Sequence, residues 1–252
     1  MEAILNIQEL TRFFGGLAAV NNLSFEVHPE EILSLIGPNG AGKTTVFNLI
    51  TGTLLPTRGK VLFQDHDITG TRPYETTALG VARTFQTTSL FYDETVLDNL
   101  IVAYRCRTRM GFFDALFQTS RCRDDERRSR QKAEEMLEFI GLSEQAKELA
   151  LNIPQESQKR LAVGLALATE PKLLLLDEPM GGLTEEENIG MMVLIGKVRT
   201  RGISILLIEH KMKVVMNISD RIVVLNYGQK IAEGSPQDVS TNSAVIEAYL
   251  GT

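Results

Sequence analysis

The chain has 252 residues, room for one large domain or two small ones. An apolar share of 43% against 23% charged residues excludes global disorder, and a formal net charge of −6 argues against a protein built to coat nucleic acid. Two cysteines, Cys106 and Cys122, lack metal-site spacing and read as ordinary thiols of a reducing compartment.

From the N-terminus, "MEAILNIQEL" has neither the basic start nor the cleavage site of an export signal. Two β-like runs follow, "AILNIQEL" and "LSFEVHPEEILSLIG", separated by Gly15, Gly16 and Asn21-Asn22; alternation across Leu23, Phe25 and Val27 suits a half-exposed antiparallel strand. A further strand, "GKVLFQDHDI", starts after the Pro56–Gly59 turn. Residues 93–150 change texture. Ala133, Met136, Leu137 and Ile140 fall at i, i+3, i+4 and i+7, with Gly141 where a helix C-cap belongs. Ile32–Ile36, Leu173–Leu176 and Ile203–Ile208 are almost wholly apolar, the pattern of parallel strands covered on both faces, and each leads into a helix. The expected fold is α/β: a mainly parallel sheet, an N-terminal antiparallel β patch and an inserted helical subdomain. No apolar run reaches the ~18 residues that span a bilayer, so a soluble chain is expected.

The most informative segment is "LSLIGPNGAGKTTVFNLI". It runs strand, then Gly37-Pro38-Asn39-Gly40-Ala41-Gly42-Lys43-Thr44-Thr45, then a helical pattern. The glycines let the backbone curl until several N–H groups face a phosphate, and the following helix adds its positive end. Lys43 can reach the β and γ oxygens, and Thr44 can place its hydroxyl on Mg²⁺. Asp177 and Glu178 close a buried strand at the edge where α/β sheets bind ligands. Asp177 suits Mg²⁺ and Glu178 suits a general base for water. Together they point to a nucleoside triphosphatase.

With these motifs placed, the whole chain resembles the nucleotide-binding subunit of an ABC transporter, most of all that of branched-chain amino acid importers. The likeness extends through "RFFGGLAAVNNLSFEV", "GVARTFQTTSLF" and "ILLIEHKMKVVMNISDRIVVLNYGQKIAEGSPQDV". It implies ATP and Mg²⁺ as ligands and one nucleotide-binding domain over residues 1–252. In that domain 1–92 and 159–252 form the core and 93–158 a helical insert. By the resemblance Phe14 stacks on adenine, Gln86 senses the metal and the attacking water, and His210 is the switch histidine at the γ-phosphate; a core role for Phe14 stays open. His28 and His66 read as structural. The implied partners are transmembrane permease subunits and a second ATP-binding subunit, as a heterodimer or a homodimer. The implied place is the cytoplasmic face of the inner membrane, as a peripheral subunit without nucleic acid.

One stretch departs from the family. The Ser-Gly-Gly-Gln-type signature, which grips the partner's ATP, should occupy Ile153–Ser157 and instead reads Ile-Pro-Gln-Glu-Ser. Pro154 removes the hydroxyl, and Gln155 and Glu156 replace small residues. A carboxylate ~4 Å from one phosphate charge costs up to roughly 4 kcal/mol at an effective dielectric near 20. Glu156 equally suits its own helix as a first-turn acid. Thr184 in "GGLT" stands where Asp or Asn is usual. The pattern suggests a chain that keeps its own gripping half and offers its partner a poor clamp. The alternatives are a soluble ABC-type switch, a low-turnover partner in an asymmetric pair, and an unrelated P-loop kinase or GTPase. Residues 105–132 hold nine Arg/Lys against four acids, which suits a solvated helical face or anionic headgroups and permease loops. Met110–Phe117 suits a partner surface or a local core.

Overall fold

A computed structural model describes residues 2–84, 90–105 and 120–250. The chain forms two compact units, residues 1–86 with 172–252, and residues 87–171.

In the first unit a four-stranded antiparallel sheet has the order β2-β1-β4-β5, from β1 (Leu5–Phe14), β2 (Leu17–Val27), β4 (Arg58–Phe63) and β5 (His66–Asp67). A six-stranded sheet is built from β3 (Ile32–Ile36), β6 (Val81–Thr84), β7 (Leu173–Asp177), β8 (Ser204–Ile208), β9 (Arg221–Asn226) and β10 (Gln229–Gly234). Its order is β10-β9-β3-β8-β7-β6. Strands β9, β3, β8, β7 and β6 run parallel, and β10 is the antiparallel edge. Every residue of β3, β7 and β8 is buried, as their unbroken apolar sequences require of strands covered on both faces. Leu33, Leu35, Leu175, Leu206 and Val223 join one core with Phe47 of α1 (Lys43–Ile50) and residues of the antiparallel sheet. Ile36, Ile222 and Val224 point the other way, toward Val215 of α7 (Met212–Ile218), Val239 of α8 (Pro236–Ser240) and Val245 of α9 (Ser243–Leu250). In chain order α6 (Glu185–Arg199) lies between β7 and β8, and α2 (Pro73–Leu79) precedes β6.

The run "LSFEVHPEEILSLIG" breaks at His28–Glu31, where the Glu31 carboxylate accepts the His28 N–H, and its halves join different sheets, Leu23–Val27 the antiparallel one and Ile32–Ile36 the mainly parallel one, as their patterns predict. One detail differs from the sequence reading. Asn21-Asn22 does not separate strands but lies within β2. Asn22 takes a φ of 50°, beside register shifts between Leu10 and Phe13 of β1, so the pair absorbs a bulge instead of ending the strand.

In the second unit, α3 (Val96–Arg105), α4 (Ser120–Ile140) and α5 (Gln155–Leu167) pack together. The helix spacing predicted for Ala133, Met136, Leu137 and Ile140 holds: all four are buried on α4, and Gly141 ends the helix at φ 75°. Cys106 and Met110–Phe117 lie outside the described residues. Three of the described cations there are paired with acids: Arg105 with Glu126 at 3.6 Å, Arg130 with Glu134 at 3.2 Å and Lys132 with Glu170 at 2.9 Å.

Helix packing makes two glycines opposites. A Cβ on Gly164 of α5 would meet Ile140 Cδ1 at 2.9 Å and Leu100 Cδ2 at 3.3 Å, whereas one on Gly196 of α6 would meet nothing within 4 Å. Gly196→Ala is expected to stabilise by about 0.5–1 kcal/mol through helix propensity, and Gly164→Val to destabilise by about 1–3 kcal/mol through overpacking. Thermal unfolding of the two variants against the wild type measures both signs.

Candidate functional site

Strand β3 ends at Ile36 and α1 begins at Lys43; the turn between them is held from behind by backbone. Gly37 has φ 150° and Gly42 φ 103°. A Cβ on Gly37 would fall 2.1 Å from the Leu225 carbonyl oxygen, and one on Gly42 2.3 Å from that of Ala19, so no side chain fits at either position. Ala41 N–H donates to the Pro38 carbonyl at 3.1 Å, and Gly228 N–H donates to the Ala41 carbonyl at 3.0 Å. Asn39 and Gly40 are exposed at the lip of the loop, Thr44 is exposed and Thr45 half-buried. The first turn of α1 carries no acidic residue, so its positive end is uncompensated from within the helix. Lys43 is buried, and its ammonium donates to the carbonyls of Gly37 at 2.8 Å and Pro38 at 3.0 Å. Burial holds the Lys43 pKa below the ordinary lysine value, opposed by the charges of Glu178 and Asp177. The far end of the chain also reaches this loop: burial raises the Tyr249 phenol's pKa, and a backbone hydrogen bond with Gly37 opposes the rise.

Because β3, β7 and β8 are parallel neighbours in one sheet, their C-terminal ends share an edge. Asp177 ends β7, nearly fully buried, and its Oδ2 accepts from Arg83 at 2.8 Å. Glu178 follows with φ 49°, a left-handed conformation that a Glu adopts at a cost of roughly 1–3 kcal/mol. Its N–H donates to the Ile208 carbonyl at 2.9 Å. The turn lifts the Glu178 carboxylate from the buried edge to partial exposure, with Oε2 3.7 Å from His210 Nδ1. His210 stands two residues beyond the end of β8 and is half exposed. Among the described residues no three His, Cys, Asp or Glu side chains form an all-protein metal cage. One carboxylate (Asp177) and one hydroxyl (Thr44) would fit a Mg²⁺ that keeps most of its waters, since such an ion needs few protein oxygens.

Phe14 ends β1 as a residue 45% exposed, outside the core, and the Arg12 guanidinium lies 4.8 Å from the ring centroid. Gln86 lies outside the described residues. In the Ile153–Ser157 stretch, Pro154 is the N-cap of α5 and provides no side-chain cap bond. The Glu156 carboxylate does not turn into water: Arg160 binds it, Nε at 2.7 Å and Nη2 at 2.6 Å, and Arg160 Nη1 donates to the Ile140 carbonyl at 3.2 Å. Thr184 is the N-cap of α6 in a reciprocal capping box, accepting from Glu187 N–H at 3.3 Å while Glu187 accepts the Thr184 N–H at 2.7 Å.

Three residues at the site escape the sequence reading. Arg83 stands in a buried strand, and a charge inside such a strand is the signal that marks it. Glu209, fully buried, accepts the Met180 N–H at 2.8 Å. Lys211 spends its three protons on the carbonyls of Met180 at 2.8 Å and Leu183 at 2.9 Å and on Asn188 Oδ1 at 3.2 Å. The two therefore clamp the loop after Glu178 to the segment that bears His210. Their spacing around His210 is visible in the sequence, but their partners are set only by the fold.

Comparison with known proteins gives the same outline. The family model of ABC transporters matches residues 20–181, and that of branched-chain amino acid ATP-binding cassette transporters matches residues 229–252. The chain is 44% identical to the high-affinity branched-chain amino acid transport ATP-binding protein LivG of Escherichia coli K12, covering 99% of this chain and 98% of that one. It is 42% identical to BraF of Pseudomonas aeruginosa, a protein of the same description, over 98% of each chain. Among solved structures it is similar to a nucleotide-free ATP-binding cassette from an ABC transporter, with a TM-score of 0.87, 32% identity and full coverage of both chains. A cassette in its ADP conformation matches with the same TM-score at 31% identity, again with full coverage of both chains. The chain belongs to the ABC transporter family, as an ATP-binding cassette of the branched-chain amino acid type.

Proposed function

We propose that this chain binds and hydrolyses ATP to energise an importer of branched-chain or related amino acids, as one nucleotide-binding domain with a helical insert. The observation that carries this is the shared sheet edge. A phosphate loop with a buried lysine opens beside a strand end bearing Asp177 and Glu178, in a chain related over its full length to such subunits.

In this reading backbone N–H groups of the Gly37–Thr45 loop, other than Pro38, which has none, and Ala41, which donates to Pro38, hold the triphosphate with the Lys43 ammonium, and the Phe14 ring stacks on adenine. Thr44 and Asp177, with Gln86, hold Mg²⁺, which would neutralise phosphate charge when bound. Glu178 takes the proton of the attacking water as its oxygen bonds to the γ-phosphorus and the bond to the ADP oxygen breaks. His210, with Nδ1 3.7 Å from Glu178 Oε2, is in this reading the switch histidine that meets the γ-phosphate oxygens. The protein's work is positioning and charge, as phosphoryl transfer requires.

The partners in this reading are membrane-spanning permease subunits and a second ATP-binding chain, the assembly lying against the cytoplasmic face of the inner membrane. Residues Ile153–Ser157 support a partner of different sequence. Pro154 brings no hydroxyl, Gln155 and Glu156 bring bulk where the backbone should approach phosphate, and the Glu156–Arg160 pair fills the first turn of α5. Pairing with Arg160 makes the charge penalty smaller than that of a bare carboxylate, so lost hydroxyl and lost backbone access dominate. A heterodimer then has one competent and one weakened composite site. The same substitutions favour, as a second reading, a low-turnover partner in an asymmetric pair.

Two outcomes are expected. Glu178→Gln lowers phosphate release by roughly 10²–10⁴-fold, the range of a general base, while equilibrium binding of MgATP persists; retention of wild-type hydrolysis removes Glu178 from that role. Secondly, the chain mixed with a second cassette of intact signature hydrolyses ATP faster than the chain alone, by at least about tenfold if the weak clamp costs 1.4 kcal/mol. Equal rates per site contradict the partner argument.

A further inference from the structure

The Arg83 guanidinium joins three parts of the site. It projects from β6, three residues before Gln86, and its side chain is 7% exposed. Nη2 donates to Asp177 Oδ2 at 2.8 Å, at the end of β7. Nη1 donates to Asn48 Oδ1 at 2.6 Å, on the helix that starts at Lys43. The guanidinium carbon also lies 5.4 Å from the ring centroid of Phe47, a fully buried residue of the same helix. The two ends of one planar, permanently charged fork therefore bridge the phosphate-loop helix and the strand-end carboxylate.

Asp177 is buried, and a buried carboxylate needs a counter-charge. If the cation only balanced charge, a lysine would do as well, and the second arm to Asn48 would have no purpose. A metal seat shared between Thr44 on α1 and Asp177 on β7 requires those two elements to keep one spacing, because Mg²⁺ tolerates little departure from octahedral geometry. We propose that Arg83 is a positioning residue for the metal seat. It locks Asp177 to the phosphate-loop helix, so that nucleotide phosphate and Mg²⁺ bind as one cooperative unit. It touches neither ligand. This rests on the reading of the site as an MgATP site.

The test is the factor by which Mg²⁺ tightens ATP, from equilibrium binding of ATP in excess Mg²⁺ and in EDTA. Wild type is expected to bind ATP more tightly with Mg²⁺. Arg83→Gln should lose that factor by about tenfold or more, the weight of a charge-assisted hydrogen bond. Its affinity in EDTA should stay within about threefold of wild type, since the phosphate loop itself is untouched. Arg83→Lys, keeping the charge but not the fork, should recover only part. Asn48→Ala, which keeps the whole guanidinium and removes one anchor, should lose about threefold and serves if Arg83→Gln does not fold. In an Asp177→Asn background, removing Arg83 should change the factor no further. An unchanged Mg²⁺ factor in folded Arg83→Gln, or in Asn48→Ala should that be the folded variant, overturns the proposal. So does an equal fall of affinity with and without Mg²⁺, which marks general damage. A wild-type chain indifferent to Mg²⁺ instead sinks the MgATP reading itself.

Discussion

Lys43 places an ammonium between the carbonyls of Gly37 and Pro38, inside a turn whose back is pressed against the carbonyls of Leu225 and Ala19. The rest of the site depends on that enclosure. A lysine loose in solvent would be a weak, mobile counter-ion. One taken out of water and held by backbone dipoles has its charge aimed before any phosphate arrives. The enclosure in turn needs β9 and β2 close behind the loop, which is possible only because glycines at 37 and 42 leave room for backbone to touch backbone.

The sheet does the remaining alignment. Parallel strands bring the phosphate loop after β3, the acids after β7 and the histidine after β8 to one edge without any further instruction. Local devices then set each group. The left-handed turn at Glu178 swings its carboxylate away from the buried strand end, Arg83 holds Asp177 back, and Glu209 and Lys211 tie the loop after Glu178 to the histidine segment. Two adjacent acids thus receive different surroundings, Asp177 buried beside a cation and Glu178 half-open beside a histidine. Such a division suits the two roles proposed for them, one toward a metal and the other toward water.

The features legible in the sequence are those whose cause is local. Leu173–Leu176 is buried because nothing in it tolerates water, and the run of glycines before Lys43 has few uses other than a tight anion-binding curl. Ala133 to Ile140 shows its face by spacing alone. What the sequence withholds is decided by distance in space. Nothing in the order of residues says that Arg83 faces Asp177, 94 positions away. The break at His28–Glu31 shows in the sequence only as a change of pattern, from alternation across Leu23–Val27 to the unbroken apolar Ile32–Ile36. Glu156 and Arg160 stand four apart on a helix, so their pairing was available from spacing; the structure gives it a geometry, two short bonds that keep the carboxylate within its own helix. Residues Ile153–Ser157 form a helix start whose one acid, Glu156, is held by Arg160 of the same helix.

The most direct measurement of the central claim is calorimetric titration of the folded chain with ATP and Mg²⁺, beside Lys43→Ala. The account predicts saturable binding by wild type and at least about a hundredfold weaker binding by the variant, the loss of a charge-assisted contact to phosphate at ~1.4 kcal/mol per decade. Equal affinity of the two proteins, or no magnesium-dependent affinity in a well-folded wild type, would contradict it.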